Sequence, residues 1–207
     1  NFFLLLFTFI RCNIKGKEKS IMYEILRITK MKCWLFILSV TIMSNQLVAQ
    51  THKTLNIAHR GASGSAPENT LASFNKAIEM GADVVELDVH LSSDGELIII
   101  HDYTLDRTTD IKGEIKNHTL KEIKKADAGS WFKPEFKNER VPILDEVLFT
   151  VNGRAKVLIE LKDGNDVYPG IEKKTLEIFK RNGAESLCEL QSFKDTVIKN
   201  FQALKTT

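Results

Sequence analysis

The sequence contains little cysteine, no surplus of one charge and no dinucleotide-type glycine loop. Its three cysteines, Cys12, Cys33 and Cys188, include no C-x-x-C pair, so a thiolate zinc site is not expected. Its 29 Lys and Arg nearly balance 27 Asp and Glu, and the net charge of +2 gives no general reason to expect nucleic-acid binding. No G-x-G-x-x-G motif is present, which disfavours a dinucleotide-binding sheet.

Long apolar runs are lacking near the first residue. The apolar run Phe2–Ile10 is far shorter than the roughly 20 residues that a membrane-spanning helix needs. The chain begins with Asn1, whereas Met31 looks like a natural start. We therefore predict that residues 1–30 are a non-native upstream segment.

The next twenty residues have the layout of a secretory signal peptide. Lys32 supplies a positive charge, residues 34–43 form an apolar core, and Ala49 offers a small residue at a cleavage point. We predict a signal peptide at 31–50, and export of the mature protein to the periplasm or the outside of the cell, without a stable membrane span. An uncleaved N-terminal anchor is the alternative.

Residues 51–207 alternate between strand-like and helix-like segments, in a chain with the 43% hydrophobic content of an ordinary globular protein. Such alternation predicts an α/β fold with a parallel sheet. Strands are predicted at 55–58, in a hairpin over 84–102, at 156–162 and at 187–190; helices are predicted at 71–78, 142–150, 171–182 and 195–205.

The predicted hairpin, residues 84–102, organises the chain. Its Asp-Gly pair at 94–95 is a strong turn signal. If these are the two loop residues, Asp88 lies opposite His101, and Glu86 shares their face because strand side chains alternate. A surface hairpin is the alternative, although apolar residues on both faces indicate burial on both sides.

Polar residues recur where the predicted strands end, which is where a TIM barrel places its active site. They are His59 and Arg60, Glu86 and Asp88, Glu160 and Lys162, and Gln191. The three carboxylates suit a hard divalent cation, Mg²⁺ or Ca²⁺, better than Zn²⁺. A simple ion pair between Glu160 and Lys162 is the alternative for that strand.

The neighbouring cations and imidazoles favour phosphodiester chemistry. Arg60 and Lys162 place positive charge where a phosphate would lie. His59 and His101 can act as general acid and base, the role for which histidine is used most often. A single histidine at a strand end is more often structural, so the prediction depends on the whole set of residues.

Over residues 55–205 the chain resembles the glycerophosphodiester phosphodiesterase family. The matching segments occur in the family's order and at its approximate spacing. They are His59-Arg60-Gly61, Pro67-Glu68-Asn69-Thr70, Glu86-Leu87-Asp88, Asp94-Gly95, His101-Asp102, Arg107-Thr108-Thr109, 142–148, Glu160-Leu161-Lys162 and Gln191-Ser192-Phe193.

The resemblance implies a TIM (β/α)₈ barrel that hydrolyses glycerophosphodiesters to an alcohol and sn-glycerol 3-phosphate. It implies a divalent metal on Glu86, Asp88 and Glu160, acid/base catalysis by the two histidines, and phosphate contacts from Arg60 and Lys162. It also identifies residues 103–140 as an insertion typical of the family, within a domain at 51–207.

The length departs from the family's pattern. Roughly 150 residues follow His59, whereas a whole barrel needs about 250. We therefore expect a barrel truncated after about five strands, with unpaired sheet edges. The alternatives are a phosphatidylinositol-type phospholipase C or phospholipase D barrel, and a catalytically inactive half-barrel that binds phosphate ligands.

Overall fold

A computed structural model describes residues 17–47 and 54–206 of the chain. The chain divides into two compact units, one up to residue 53 and one from residue 54 onward. In the first unit, helix α1 (Lys17–Leu47) runs through the predicted boundary between residues 30 and 31. Within the described ranges no helix has the length and apolarity to cross a bilayer. Residues 48–50 of the predicted signal peptide lie outside those ranges.

The second unit alternates strands and helices, as the sequence predicts. Its elements are β1 (Ile57–Ala58), α2 (Leu71–Glu79), β2 (Val84–Leu91), β3 (Leu97–Ile99), α3 (Leu120–Ile123), α4 (Leu144–Val151), β4 (Lys156–Leu161), α5 (Ile171–Arg181), β5 (Cys188–Gln191) and α6 (Asp195–Lys205). Two short 3₁₀ helices, Ile115–Asn117 and Pro134–Phe136, flank α3.

The sheet is parallel in the order β1-β2-β4-β5, and β3 pairs antiparallel with β2 outside that path. Right-handed crossover helices between parallel strands are the repeating unit of a TIM barrel. The described residues therefore supply four parallel barrel strands, β1, β2, β4 and β5. The remaining strand, β3, is the antiparallel partner of β2 in the hairpin. The predicted α/β barrel fold is confirmed for this part of the chain.

The hairpin forms, but the register predicted for it is wrong by one residue. Leu91 of β2 pairs with Leu97 of β3, whereas a two-residue loop would have shifted that pairing. Gly95 adopts φ +81°, a left-handed conformation that suits a three-residue loop. Because a slip of one residue changes which side chains share a face, His101 does not lie opposite Asp88. It follows the end of β3.

The main core lies on the sheet. Every residue of β2 is buried, so the predicted burial of both its faces is confirmed. Phe74 of α2 and Phe179 of α5 are fully buried in the same cluster as Leu87 and Ile159 of the sheet. Burying each such side chain contributes about 1.5–3 kcal/mol.

The insertion has a smaller core of its own. Ile98 and Ile100 face it, while the alternate residues Leu97 and Ile99 face the main core. Helix α3 begins with a capping box, with Thr119 as its N-cap and Glu122 as its N3 residue. The hairpin therefore joins the two cores through its two faces.

Candidate active site

Strand register brings the three predicted carboxylates together. Asp88 of β2 and Glu160 of β4 are direct register partners in a parallel pair. Glu86 lies two residues before Asp88 and so points to the same side. One oxygen from each residue lies within 4.8 Å of the others, and all three residues are buried.

Lys162 joins this carboxylate cluster. Its Nζ lies 2.7 Å from Asp88 Oδ1 and 2.6 Å from Glu160 Oε1. The predicted alternative, an ion pair between Glu160 and Lys162, is thus a real contact, and it lies inside the cluster. Burial disfavours the charged amine, but its two carboxylate partners outweigh burial and raise its pKa. Lys162 therefore remains a cation.

Arg60 approaches the cluster through both its backbone and its side chain. Its amide donates to Glu86 Oε2 at 2.9 Å, and its Nε lies 3.5 Å from Asp88 Oδ2. Arg60 has φ +57°, an uncommon conformation for a residue with a side chain. The next residue, Gly61, is also left-handed, and a Cβ there would lie 2.4 Å from Ser73 Oγ. The loop after β1 is therefore tightly packed at this point.

Asn69 is a site residue that the analysis of strand periodicity missed. It is buried, and its Nδ2 donates to Asp88 Oδ2 at 2.8 Å. It also adopts φ +55°, which Asn tolerates better than most residues. Only its place in the P-E-N-T segment marked it, because loop residues have no periodicity that would predict where they point.

The cluster fits a divalent metal ion. Glu86 Oε1 is buried and has no hydrogen-bond partner among the described residues. Burial, and then the charge of Asp88, raises the pKa of Glu86 to about 7. A buried carboxylate with an open acceptor and an anionic neighbour is stabilised by a bound cation. The oxygen donors are those that Mg²⁺ and Ca²⁺ prefer.

The two predicted acid/base histidines lie in different surroundings. His59 follows β1, its side chain is 67% exposed, and its Nε2 lies 4.0 Å from Glu86 Oε2. The side chain of His101 is 33% exposed, and its Nδ1 lies 2.7 Å from Asp102 Oδ1. The structure thus brings His59 to the carboxylate cluster and places His101 on the segment that follows β3.

His90 is buried, and both of its ring nitrogens have hydrogen-bond partners. Its Nε2 lies 3.0 Å from the carbonyl of His101, and its Nδ1 lies 2.7 Å from Tyr168 Oη. A carbonyl only accepts, so Nε2 carries the proton and Tyr168 donates to Nδ1. Burial lowers the pKa of His90 to about 4, which keeps the ring neutral. This pair fixes the backbone from which the His101 ring projects.

These side chains together can serve an anionic substrate. Arg60 and Lys162 border the buried carboxylates, and two partly exposed imidazoles are available for proton transfer. A carboxylate-held cation beside an arginine and a lysine can stabilise charge that develops on phosphoryl oxygens. The arrangement therefore suits transfer or hydrolysis at phosphorus.

The chain is similar to several curated proteins. It is 45% identical over 153 residues to a glycerophosphodiester phosphodiesterase of Caldanaerobacter subterraneus, a match that covers 73% of this chain and 63% of that protein. It is 41% identical over 165 residues to one of Bacillus subtilis, covering 72% and 56%. The chain thus spans about three fifths of the length of these relatives.

Solved structures share the fold. A phosphodiesterase from Oleispira antarctica, in complex with the product sn-glycerol-3-phosphate, superposes with a TM-score of 0.69 at 38% identity, covering 73% of this chain and 62% of that one. A glycerophosphodiester phosphodiesterase from Agrobacterium tumefaciens gives 0.68 at 39% identity, covering 74% and 64%.

The profile of the Glycerophosphoryl diester phosphodiesterase family matches residues 59–206. The matched range begins at His59 and includes all seven predicted site residues. The resemblance seen in the sequence motifs is confirmed, and the chain belongs to the glycerophosphodiester phosphodiesterase family.

Proposed function

We propose that the protein hydrolyses glycerophosphodiesters to an alcohol and sn-glycerol 3-phosphate in a metal-dependent reaction. The observation that carries this proposal is the convergence of Glu86, Asp88 and Glu160 within 4.8 Å, beside Arg60 and Lys162. Support comes from the relatives, which are named as such phosphodiesterases, and from the product bound to the Oleispira enzyme. These support the same activity for the whole protein.

Glu86, Asp88 and Glu160 would hold the metal, Mg²⁺ or Ca²⁺. When bound, it would supply positive charge to the phosphoryl oxygens. Arg60 and Lys162 would contact the same phosphate and orient it against the cluster. Because both cations already lie against Asp88, the phosphate would enter a site whose charges are preorganised.

His59 and His101 would act as the acid/base pair. One ring would accept the proton of the attacking hydroxyl, and the other would protonate the leaving alkoxide oxygen. The free hydroxyl of the substrate's glycerol is a suitable first nucleophile: it would displace the alcohol from phosphorus and form a cyclic phosphate, which water would then open to sn-glycerol 3-phosphate. The reaction then requires no protein nucleophile. Both rings are partly exposed, so a substrate can reach them.

Removal of the metal ligands tests this proposal. Glu86→Ala and Glu160→Ala should each abolish Mg²⁺ or Ca²⁺ binding by calorimetry, and metal-dependent turnover of a glycerophosphodiester in the complete protein. Glu189→Ala is the matched control, because Glu189 is an exposed β5 residue that pairs with Lys156. Full turnover in either ligand variant, or in excess chelator, would exclude the metal assignment.

The rival function is binding of phosphate ligands without turnover. It is favoured by the two cations, Arg60 and Lys162, that lie beside the buried carboxylates. Titration of sn-glycerol 3-phosphate into the chain of 207 residues measures binding, and an assay of the same chain with a glycerophosphodiester measures turnover. Binding without turnover favours the rival; turnover supports hydrolysis.

We also propose that the protein is exported, because Lys32, the apolar residues 34–43 and Ala49 have the layout of a secretory signal peptide. N-terminal sequencing of protein recovered from a secreting bacterial host is the test. A mature chain that starts shortly after Ala49 supports export with cleavage. A chain that keeps residues 31–50 contradicts cleavage.

A further inference from the structure

Arg107 contacts two carboxylates at once, and each contact is bidentate. Its Nε and Nη2 lie 2.7 and 3.1 Å from the two carboxylate oxygens of Asp102. Its Nη1 and Nη2 lie 2.9 and 2.7 Å from those of Glu68. Single exposed ion pairs contribute little, but a planar guanidinium that bridges two carboxylates has a defined geometry.

The carboxylate of Asp102 in turn holds the ring of His101. Asp102 Oδ1 lies 2.7 Å from His101 Nδ1, and the pKa of Asp102 is lowered to about 2, first by its hydrogen bond to Arg107. An ionised carboxylate can only accept hydrogen bonds, so Nδ1 carries the proton. In the neutral ring, Nε2 is then the free base.

The Arg107 segment is held by the start of the insertion. Thr109 Oγ1 donates to the Leu105 carbonyl at 2.7 Å, and Gly113 N donates to Asp106 Oδ1 at 3.0 Å. Leu105 is fully buried in the insertion core. The backbone on both sides of Arg107 is therefore fixed, and its guanidinium projects from a structured turn.

Glu68 links this arrangement to the phosphate side of the site. It accepts from Arg107, and its Oε1 also accepts from Arg60 Nη1 at 3.1 Å. Burial favours the neutral acid, but the hydrogen bonds and charges of the two arginines prevail and lower the pKa of Glu68. The ionised carboxylate of Glu68 therefore contacts two guanidinium groups: that of Arg60, which we assign to phosphate binding, and that of Arg107.

We infer that Arg107 is a positioning residue: through Asp102 it sets the ring orientation and tautomer of His101, and through Glu68 it holds that ring in a defined relation to Arg60. The sequence motifs marked Glu68, Asp102 and Arg107 without assigning them a role. In this arrangement the insertion contributes to the site, because it supplies the turn that carries Arg107. The expected effect on catalysis rests on the proposed function, whereas the expected tautomer of His101 does not depend on it.

The test is ¹⁵N NMR of the histidine side chains in the full chain, at a pH where the rings are neutral. Loss of signals in His101→Gln assigns His101. In the wild type we expect Nδ1 to carry the proton almost entirely. Asp102→Ala and Arg107→Ala should each give a mixture of both tautomers. An unchanged tautomer in folded Arg107→Ala would overturn the inference.

Two further variants keep the result interpretable. Arg181→Ala is the matched control, because Arg181 makes a similar exposed bridge to Asp145, with 2.9 Å between Nε and Oδ1. It should leave His101 unchanged; an equal effect would show general loosening and contradict the inference. If Arg107→Ala does not fold, Arg107→Lys replaces it, since a single ammonium cannot bridge both carboxylates in this way.

Activity supplies an independent readout. In protein that turns over a glycerophosphodiester, Arg107→Ala should lower kcat by about 10- to 100-fold, as loss of partners that orient a histidine commonly does, with a smaller change in KM. An unchanged kcat would overturn the catalytic part of the inference. If the wild type shows no turnover, the proposed function fails while the NMR result still decides the tautomer.

Discussion

The carboxylate cluster and the His101 ring are held by two regions that are built differently. Glu86, Asp88 and Glu160 project from neighbouring parallel strands whose backbones pair over six consecutive positions. His101 lies beyond the end of β3, and its ring contacts Asp102, whose carboxylate is held in turn by Arg107 of the insertion. The first region depends on a large sheet core, and the second on a small cluster and several turns.

The difference shows two ways of fixing a functional group. A residue inside a paired strand cannot move without its strand, so rigid elements place ligands accurately. A residue on a connecting segment has no such restraint, and its accuracy depends on further side chains. We therefore expect damage to the sheet to affect the whole second unit, and damage to the insertion to act locally on His101.

The largest effect is expected from Leu87→Ala in β2. Leu87 lies between the potential ligands Glu86 and Asp88 in the sequence, and its side chain is fully buried. Its truncation should lower the free energy of unfolding by about 2–5 kcal/mol, measured by chemical denaturation. Phe149→Ala is the control, because Phe149 is exposed, and it should change stability by less than about 0.5 kcal/mol. Equal effects of the two substitutions would contradict the core assignment.

A smaller effect is expected from Ile123→Ala in α3. Ile123 is fully buried in the insertion core, which offers fewer neighbours to be disturbed. We expect about 2 kcal/mol, the low end of the range for such truncations. Hydrogen exchange should quicken in residues 105–141, while the amides of β2 and β4 keep their protection. Equal acceleration in the sheet would show that the two regions unfold as one.

The smallest effect concerns pH. The pKa of Asp102 is about 2 in the folded protein and 3.8 ordinarily, so its ion pair with Arg107 stabilises the fold above pH 3.8 and is lost as the pH falls towards 2. Both side chains are partly exposed, so the gain is below about 1 kcal/mol. The stability difference between wild type and Arg107→Ala should therefore shrink from pH 5 to pH 2. A constant difference in thermal unfolding over that range would contradict this.

Much of the fold could be predicted because its signals are local. Helix α2 begins at the predicted residue, Leu71, and ends one residue after the predicted end, at Glu79, and α6 has the predicted bounds. The hairpin register could not be predicted from the Asp-Gly pair at 94–95. Two- and three-residue loops can both contain that pair, and only the packing of both hairpin faces decides between them.

Strand periodicity by itself determined which polar residues share a face: Glu86 with Asp88, and Glu160 with Lys162. Side chains alternate strictly along a strand, whatever lies beside it. Only the tertiary structure decided that Asp88 lies beside Glu160, that Asn69 donates to Asp88, and that Arg107 contacts Glu68. These contacts join segments far apart in the chain, and their geometry follows from the packing of the whole unit.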